Sequence, residues 1–285
     1  MLLLYVRGEQ KDGPLSVTNI KLGIDVNQEE EKNILLSQKE KEGEEFKNYF
    51  DEFCENYLPR YDTNITRDWI YLYQDRMAFE SIKMVSLNPK FRGEKLLDVG
   101  STLYAVLFFA GLFPTTYLEP RLNDQTLHAP LTMPSLNLTF LRGEAQNIPC
   151  DDESYILLTS LHAMEHFGLG RYGDKLDYYG DQKGLKEFNR VLKSGGELIL
   201  SVPASDEPRI EFNGQRVYTP EIVDDMLNSA GFKVRDRAYI TSLGLNHSTD
   251  EDFIYEPISR DRKTLGLLQN RDQQAAYMVC AQKIN

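Results

Sequence analysis

A stretch of fifteen residues, SLHAMEHFGLGRYGD at Ser160–Asp174, places two histidines, a glutamate, an arginine and an aspartate around three glycines. Histidine changes its charge near neutral pH, which makes it a common general base. Glycine tolerates the positive φ angles that a tight loop requires. The stretch therefore predicts a shaped loop that carries a proton-transfer group and polar binding groups.

Three side chains of this stretch, His162, Glu165 and His166, stand at i, i+3 and i+4 and would share one face if the turn is helical. We take His162 as the preferred general base, which would take the proton from a hydroxyl group of a substrate. His166 is a candidate for substrate binding. The alternative for Glu165 and His166 is that they only hold the loop through hydrogen bonds.

Further substrate-binding candidates follow in two segments of the chain. Arg171, Tyr172 and Asp174 close the first stretch, and Asn213 and Arg216 lie in EFNGQRVYT. An arginine fork suits a carboxylate or phosphate, and an aspartate suits sugar hydroxyls. The alternative for the arginine and aspartate of the first stretch is an ordinary surface salt bridge.

The elements that must position these residues are strands alternating with helices. Apolar runs typical of buried strands are EKLLDVG, TTYLEP, NLTFLRGEA, ESYILLTSL and ELILSVP, and helical patterns lie between several of them. Such alternation, with right-handed crossovers, implies a doubly wound, Rossmann-like α/β fold. Ligands in such folds bind at the carboxyl ends of the strands. The segment TRDWIYLYQDRMAFESIKMVSL is expected to be a helix packed against this sheet.

Acidic residues end the first two predicted strands. Asp98 and Glu119 are 21 residues apart, close to the interval at which an acid binds the ribose hydroxyls of a nucleotide. The turn DVGSTLY has one glycine where a dinucleotide-binding loop has three, which argues against a pyrophosphate and a dinucleotide-dependent oxidoreductase. A nucleoside without phosphates remains compatible. The alternative is that Asp98 caps a helix and Glu119 is an exposed loop acid.

The order LLDVGS, LEP, GEAQNIPCDDESYILLTSLHAMEH and VLKSGGELILSVP resembles the class I methyltransferases that use S-adenosylmethionine, which have a seven-stranded sheet. The match covers about residues 94–232. The segment from EHFGLGRYGD to SVP, followed by FNGQRVYT, resembles the methyltransferase-like family catalogued as domain of unknown function 268. Its members also tend to have a VGS turn in place of the full glycine loop.

The resemblance implies where S-adenosylmethionine would bind. It puts Asp98, Gly100 and Ser101 beside the amino-acid end of the cofactor and Glu119 on the ribose. It also puts a group of residues from the third and fourth strand ends around the rest of the ligand, with the first two near the adenine: Glu144, Ala145, Ser160 and Leu161.

The resemblance implies methyl transfer to an oxygen or nitrogen. The polar, hydroxyl-friendly candidates on the rim favour a small molecule or glycan precursor as the acceptor, as in polysaccharide biosynthesis. The resemblance extends to ubiquinone-pathway O-methyltransferases, which suggests His162, Glu165 and His166 as an alternative divalent metal site. Without that alternative no metal is required. A second function class also remains open, a binding or scaffold protein that kept the fold and lost turnover.

The composition of the chain restricts its partners and its location. The chain has 285 residues, a formal net charge of -12 and a pI near 4.9, which disfavours nucleic acid and anionic membranes as main partners. The three cysteines lack metal-ligand spacing and MLLLYVRGE is too short for a membrane span, so we expect a cytoplasmic protein. Residues 1–60 are expected to form an extension, with a hairpin and an acidic helix, before a methyltransferase-like domain over residues 61–285.

Overall fold

The computed structural model describes residues 65–120, 131–170, 174–211, 215–241, 258–267 and 275–284. The predicted hairpin and acidic helix of residues 1–60 lie outside the described residues. The same is true of three substrate-binding candidates, Arg171, Tyr172 and Asn213. Within the described ranges, no helix is both long and apolar enough to cross a membrane.

The described residues form four α-helices and eleven strands. The helices are α1 Ile65–Ser86, α2 Leu103–Ala110, α3 Gly180–Val191 and α4 Pro220–Ser229. The strands are β1 Leu96–Val99, β2 Thr115–Leu118, β3 Leu131–Met133, β4 Leu138–Leu141, β5 Tyr155–Leu161, β6 Leu192–Ala204, β7 Arg209–Glu211, β8 Gln215–Val217, β9 Phe232–Thr241, β10 Ile258–Ser259 and β11 Ala275–Lys283.

The main sheet has the order β10-β9-β11-β6-β5-β1-β2-β4-β3, and β7 and β8 form a separate hairpin. Strands β4, β2, β1, β5 and β6 pair in parallel, whereas β11 is antiparallel to both of its neighbours. This arrangement confirms the predicted doubly wound α/β fold. The sheet has nine strands and not the expected seven, because β3 and β10 add one short strand at each edge. These strands have only three and two residues, too few for a recognisable pattern.

Helices cover both faces of the sheet. On one face, α1 and α2 pack through Ile82 and Phe109 against β1, β5 and β6. On the other face, α3 and α4 contribute Phe188 and Leu227 to a second core cluster. Strand β5 is buried at every position because it lies between these two layers. The expectation that the TRDWIYLYQDRMAFESIKMVSL segment is a helix packed on the sheet is confirmed.

Candidate active site

The candidate active site is a cavity of about 600 Å³, open to solvent, at the carboxyl ends of β1, β2, β4 and β5. Parallel strands end at the same edge of a sheet, so residues distant in sequence meet there. Seven of the residues selected from the sequence line this cavity: Gly100, Glu119, Glu144, Ala145, His162, His166 and Asp174.

Asp98, the polar residue of β1, holds the turn after this strand in place through hydrogen bonds. The side chain is fully buried, Oδ1 accepts a hydrogen bond from the Ser101 backbone N–H at 3.0 Å, and Oδ2 accepts one from the Thr159 hydroxyl at 2.6 Å. It does not cap α2, since Thr102 accepts the capping bond from Ala105. Burial raises the pKa of Asp98 to about 6, and the nearby charge of Glu119 acts in the same direction.

The turn that follows depends on Gly100. Its φ is 74°, and a Cβ atom there would lie 2.9 Å from the Cβ of Ala163. Only glycine takes this conformation without cost and leaves room for such a close approach. The turn of β1 and the loop after β5 therefore touch, and they form adjacent walls of the cavity.

Hydrogen bonds beneath the cavity surface connect these two walls through three buried residues, Ser101, Ser160 and Leu161. The Ser101 hydroxyl accepts a hydrogen bond from the Leu161 backbone N–H at 3.1 Å, and the Ser160 hydroxyl donates to the Val99 carbonyl at 3.1 Å. All three cofactor candidates are buried and lie outside the lining of the cavity. Their observed contacts hold the strand ends in place.

Glu119, directly after β2, presents a carboxylate to the cavity while only 6% exposed. The hydroxyl of Tyr117 lies 3.1 Å from Glu119 Oε2 and 3.2 Å from the Ser101 carbonyl, so it donates its one proton to either acceptor. Strand pairing places Tyr117 directly beside Asp98. Tyr117 was not among the residues selected from the sequence, although its alternation with Glu119 puts the two side chains on the same face.

The turn after β4 supplies Gly143, Glu144 and Ala145. A Cβ atom on Gly143 would lie 2.5 Å from Pro149 Cδ, so this position excludes larger residues. The turn closes with a 3.1 Å hydrogen bond from the Asn147 N–H to the Glu144 carbonyl. Glu144 is exposed and Ala145 is buried, so this wall combines an apolar surface with an outer carboxylate.

A third acid approaches the first turn from α1. The Thr102 hydroxyl donates a long 3.5 Å hydrogen bond to Oδ2 of Asp75. Burial raises the pKa of Asp75 to about 7, and the charge of Asp98 raises it further. Three carboxyl groups, Asp75, Asp98 and Glu119, thus surround one turn, and together they favour a cationic ligand.

His162 follows β5 in a left-handed backbone conformation, with φ at 52°. Its N–H donates to the Ser201 carbonyl at 2.9 Å, and Nδ1 lies 2.6 Å from Oε1 of Gln74 on α1. The edge of the Tyr71 ring packs on the imidazole at a centroid distance of 5.0 Å. A non-glycine residue in this conformation costs about 1–2 kcal/mol, and such strain is concentrated at functional sites.

The helical turn assumed for His162, Glu165 and His166 is only partly present. A short 3-10 helix covers Met164–His166, whereas His162 precedes it in the left-handed region, so the three side chains do not share a helical face. Glu165 and His166 are buried, with 3.8 Å between Glu165 Oε1 and His166 Nε2. Within the described residues, no group of three or more His, Cys, Asp or Glu side chains is arranged to hold a metal ion. The geometric condition for the alternative metal site is therefore not met.

Two charged candidates for substrate binding support the loop. Asp174 Oδ2 accepts a hydrogen bond from the Gly168 N–H at 2.8 Å, at the cavity wall. Arg216 is only 4% exposed and donates to the carbonyls of Phe167, at 2.7 Å, and Tyr178, at 3.3 Å. The structure thus places Arg216 inside the protein and not on the rim of the cavity, where the sequence predicted it.

A family match covers the residues of the site that follow β4 in the chain. Residues 144–237 match the family described as "Caenorhabditis protein of unknown function, DUF268", which confirms the resemblance drawn from the sequence. No curated protein matches the chain.

Several solved structures are similar to this chain. One is the YcgJ protein from Bacillus subtilis, with 14% identity, coverage of 75% of this chain and 99% of that chain, and a TM-score of 0.48. Another is 1,6-didemethyltoxoflavin-N1-methyltransferase from Burkholderia thailandensis with bound S-adenosylhomocysteine, at 12% identity, 96% and 94% coverage, and a TM-score of 0.48. A third is the [4+2]-cyclase SpnF, at 17% identity, 74% and 81% coverage, and a TM-score of 0.47. Because one fold can host different activities, function depends on the site residues.

Proposed function

We propose that the chain is an S-adenosylmethionine-dependent methyltransferase that acts on a hydroxyl or amine of a small molecule or glycan precursor. The observation that carries the proposal is the convergence of the Gly100 turn, the buried Asp98 and the cavity-facing Glu119 at one edge of the sheet. This set lacks a glycine-rich phosphate loop and contains two carboxyl groups, and that of Asp75 lies close to the same turn. It suits a nucleoside with a cationic substituent better than a dinucleotide.

The residues of the cavity fit this cofactor. The Glu119 carboxylate, held by Tyr117, can accept hydrogen bonds from two ribose hydroxyls. Gly100 lines the cavity and has no side chain, so the backbone of the turn itself forms part of the wall that would face the ligand. Asp98 is buried beneath the Gly100 turn, where a nearby ammonium group would stabilise its charged form, and Ala145 offers an apolar surface to the adenine.

The cofactor, when bound, supplies a methyl group that its sulfonium already activates. The protein must then position the acceptor and take up the proton that the acceptor loses. We assign the second task to His162, which lies on the same cavity as Gly100 and Glu119. His166 and Asp174 line the cavity on this side and are our candidates for contacts with the acceptor. Arg171, Tyr172 and Asn213 remain candidates from the sequence.

Two finer parts of the proposal are a glycan or nucleotide-sugar acceptor and a cytoplasmic setting. The choice of acceptor rests on the polar groups at the acceptor side of the cavity, since carboxylates and imidazoles suit sugar hydroxyls. A direct screen of hydroxyl- and amine-bearing small molecules, scored by release of S-adenosylhomocysteine, tests it. Methylation of a substrate without a sugar would exclude the glycan acceptor and leave the transferase proposal intact.

Titration calorimetry tests the cofactor. We expect S-adenosylmethionine and S-adenosylhomocysteine to bind and NAD not to bind. Glu119→Ala should weaken binding by about 1.5–3 kcal/mol, because a buried charged hydrogen-bond acceptor is lost. Glu207→Ala, which removes an exposed glutamate outside the cavity, is the matched control.

The possible results separate the functions. Absence of binding by S-adenosylmethionine and S-adenosylhomocysteine at millimolar concentration would overturn the methyltransferase proposal. Binding of NAD instead would indicate an oxidoreductase. Cofactor binding without turnover on any acceptor class would favour a binding protein that retains the fold.

A further inference from the structure

We infer that Gln74 of α1 is a positioning residue that holds His162 in the tautomer with the proton on Nδ1, which makes Nε2 the basic nitrogen. The inference deepens the proposed function, because it rests on His162 acting as the base. It assigns a role to a residue that the sequence did not single out. The carrying observation is the 2.6 Å distance between Gln74 Oε1 and His162 Nδ1.

Gln74 occupies a core position of its helix. It lies four residues after Ile70 and four before Ala78, and all three side chains are buried against the sheet. Gln74 has no exposed surface, although glutamine usually lies at the protein surface. Burying a polar group favours hydrogen bonds inside the protein. Oε1 of Gln74 makes two such contacts, whereas its Nε2 has no partner within the described residues.

The contacts of Gln74 Oε1 define the proton arrangement. This oxygen lies 2.7 Å from the Ser201 hydroxyl and 2.6 Å from His162 Nδ1, and the last two atoms are 3.1 Å apart. A carbonyl oxygen has two lone pairs, so it can accept from the hydroxyl and from an Nδ1–H at once. If Nδ1 were unprotonated, two acceptors would face each other at 2.6 Å.

The orientation of the amide rests on the two short contacts of Oε1, with the Ser201 hydroxyl and with His162 Nδ1. The other end of the amide adds nothing to it, because the buried Nε2 of Gln74 has no hydrogen-bond partner within the described residues, and neither has Oδ1 of the neighbouring Asp75.

The backbone of His162 leaves the ring dependent on such support. Its φ of 52° is uncommon for a non-glycine residue, and its N–H is bound to the Ser201 carbonyl. Tyr71 limits the ring from one edge, and Gln74 and Ser201 contact Nδ1. A base works only when the unprotonated nitrogen faces the proton to be taken, so control of the tautomer is control of the activity.

The test is ¹⁵N NMR of the histidine rings in the full-length chain, without any ligand. The chain has four histidines, and the His162 signals are identified by their loss in His162→Asn. In the wild type at pH 8 we expect Nδ1 protonated and Nε2 unprotonated, with the Nδ1–H form in about tenfold excess, since a hydrogen bond of ordinary strength gives such a bias.

Three variants sharpen the test. Gln74→Met keeps the length of the side chain and removes the acceptor, so the Nδ1–H excess should fall by about tenfold. Gln74→Glu keeps an acceptor oxygen and should keep Nδ1 protonated. Ser201→Ala removes the other contact of Gln74 Oε1 and should also keep the wild-type tautomer.

The outcomes are decisive in each direction. An Nε2–H tautomer in the wild type would overturn the inference without any variant, as would an unchanged Nδ1–H form in Gln74→Met. If Gln74→Met does not fold, the wild type and Gln74→Glu still decide the question. Calorimetry with S-adenosylhomocysteine on the same samples tests the cofactor separately, so failure of the proposed function is distinguishable from failure of this inference.

Discussion

Thr159 on β5 donates a 2.6 Å hydrogen bond to the Asp98 carboxylate on the adjacent strand β1. The two residues are direct partners in the parallel register of these strands. Together with the Ser101 N–H, this bond lowers the pKa of Asp98, but burial has the larger effect and the pKa is raised to about 6. The site thus holds an acid that is costly to ionise while no cation is bound.

Stability should therefore depend on pH through Asp98. Its folded pKa of about 6 exceeds the ordinary value of 3.8, so the native state binds more protons between these values and stability falls as pH rises through this window. Asp98→Asn removes the effect. We expect it to be on the order of 1–3 kcal/mol more stable than the wild type at pH 8 and to lose that advantage near pH 4.

Urea unfolding of the ligand-free protein at several pH values measures this difference. Glu207→Gln, an exposed acid, should show none of it. The explanation fails if the difference between Asp98→Asn and the wild type is the same at pH 4 and pH 8. The corresponding substitution, Asp75→Asn, should change the stability with the same sign, over a window that extends to higher pH because the pKa of Asp75 is raised to about 7.

Gly100→Ala should damage both the fold and the cofactor site. The new Cβ atom would meet Ala163 at 2.9 Å, in addition to the strain of a φ of 74°. Gly93→Ala is a matched control, because its φ is 82° and nothing lies within 4 Å of the new Cβ. We expect about 1 kcal/mol of strain in each variant, and about 1–2 kcal/mol more for Gly100→Ala.

The two glycine variants should also differ in ligand affinity. Only Gly100 lies on the cavity, so only Gly100→Ala should weaken binding of S-adenosylhomocysteine by tenfold or more. Equal losses of stability and equal affinities in the two variants would mean that the close approach to Ala163 has no role.

The apolar strands and the acids at their ends were predictable from the sequence, because they are local patterns. LLDV and YILLTSL read as buried strands without any knowledge of their neighbours, and parallel pairing then brings Asp98, Glu119 and His162 to one edge. The left-handed conformation of His162 was not predictable, because glycine and asparagine are the usual signals for it.

Long-range partners were beyond the sequence. Gln74 and His162 are 88 positions apart, and no local pattern states that a glutamine on one helix meets a loop after β5. Arg216 was misplaced for a related reason, since a charged residue after a turn-like segment is usually exposed. Here β8 is buried at all three positions, so the guanidinium is inside.

Arg216 should consequently matter for stability more than for substrate contacts. Its Nε lies 3.4 Å from Asp181 Oδ2, and both side chains are buried. Arg216→Met would leave the carbonyls of Phe167 and Tyr178 without this donor and Asp181 without its cation, at a cost of about 3–5 kcal/mol. Arg235→Met, at an exposed position, should cost less than about 0.5 kcal/mol.

A double-mutant cycle with Asp181→Asn separates the ion pair from the carbonyl contacts. Urea unfolding of the double variant should show a smaller loss than the sum of the two single losses. Full additivity would mean that the Arg216–Asp181 pair does not stabilise the fold. A normal free energy of unfolding in Arg216→Met, combined with loss of acceptor binding, would restore Arg216 to the substrate side.

The strained backbone of His162 allows its chemistry to be separated from its structural cost. His162→Ala and His162→Gly both remove the imidazole and should lower turnover by about 10²-fold or more, with affinity for S-adenosylhomocysteine within a few-fold of the wild type. At a φ of 52° alanine is strained and glycine is not, so His162→Gly should be the more stable variant by up to about 1 kcal/mol. His166→Ala should instead lose about 1–3 kcal/mol of stability, because the side chain is buried, and should weaken acceptor binding while keeping its turnover at saturating acceptor. Release of S-adenosylhomocysteine and urea unfolding are the two measurements. Full activity in both His162 variants would exclude this residue as the base, and loss of turnover in a stably folded His166→Ala would transfer that role to His166.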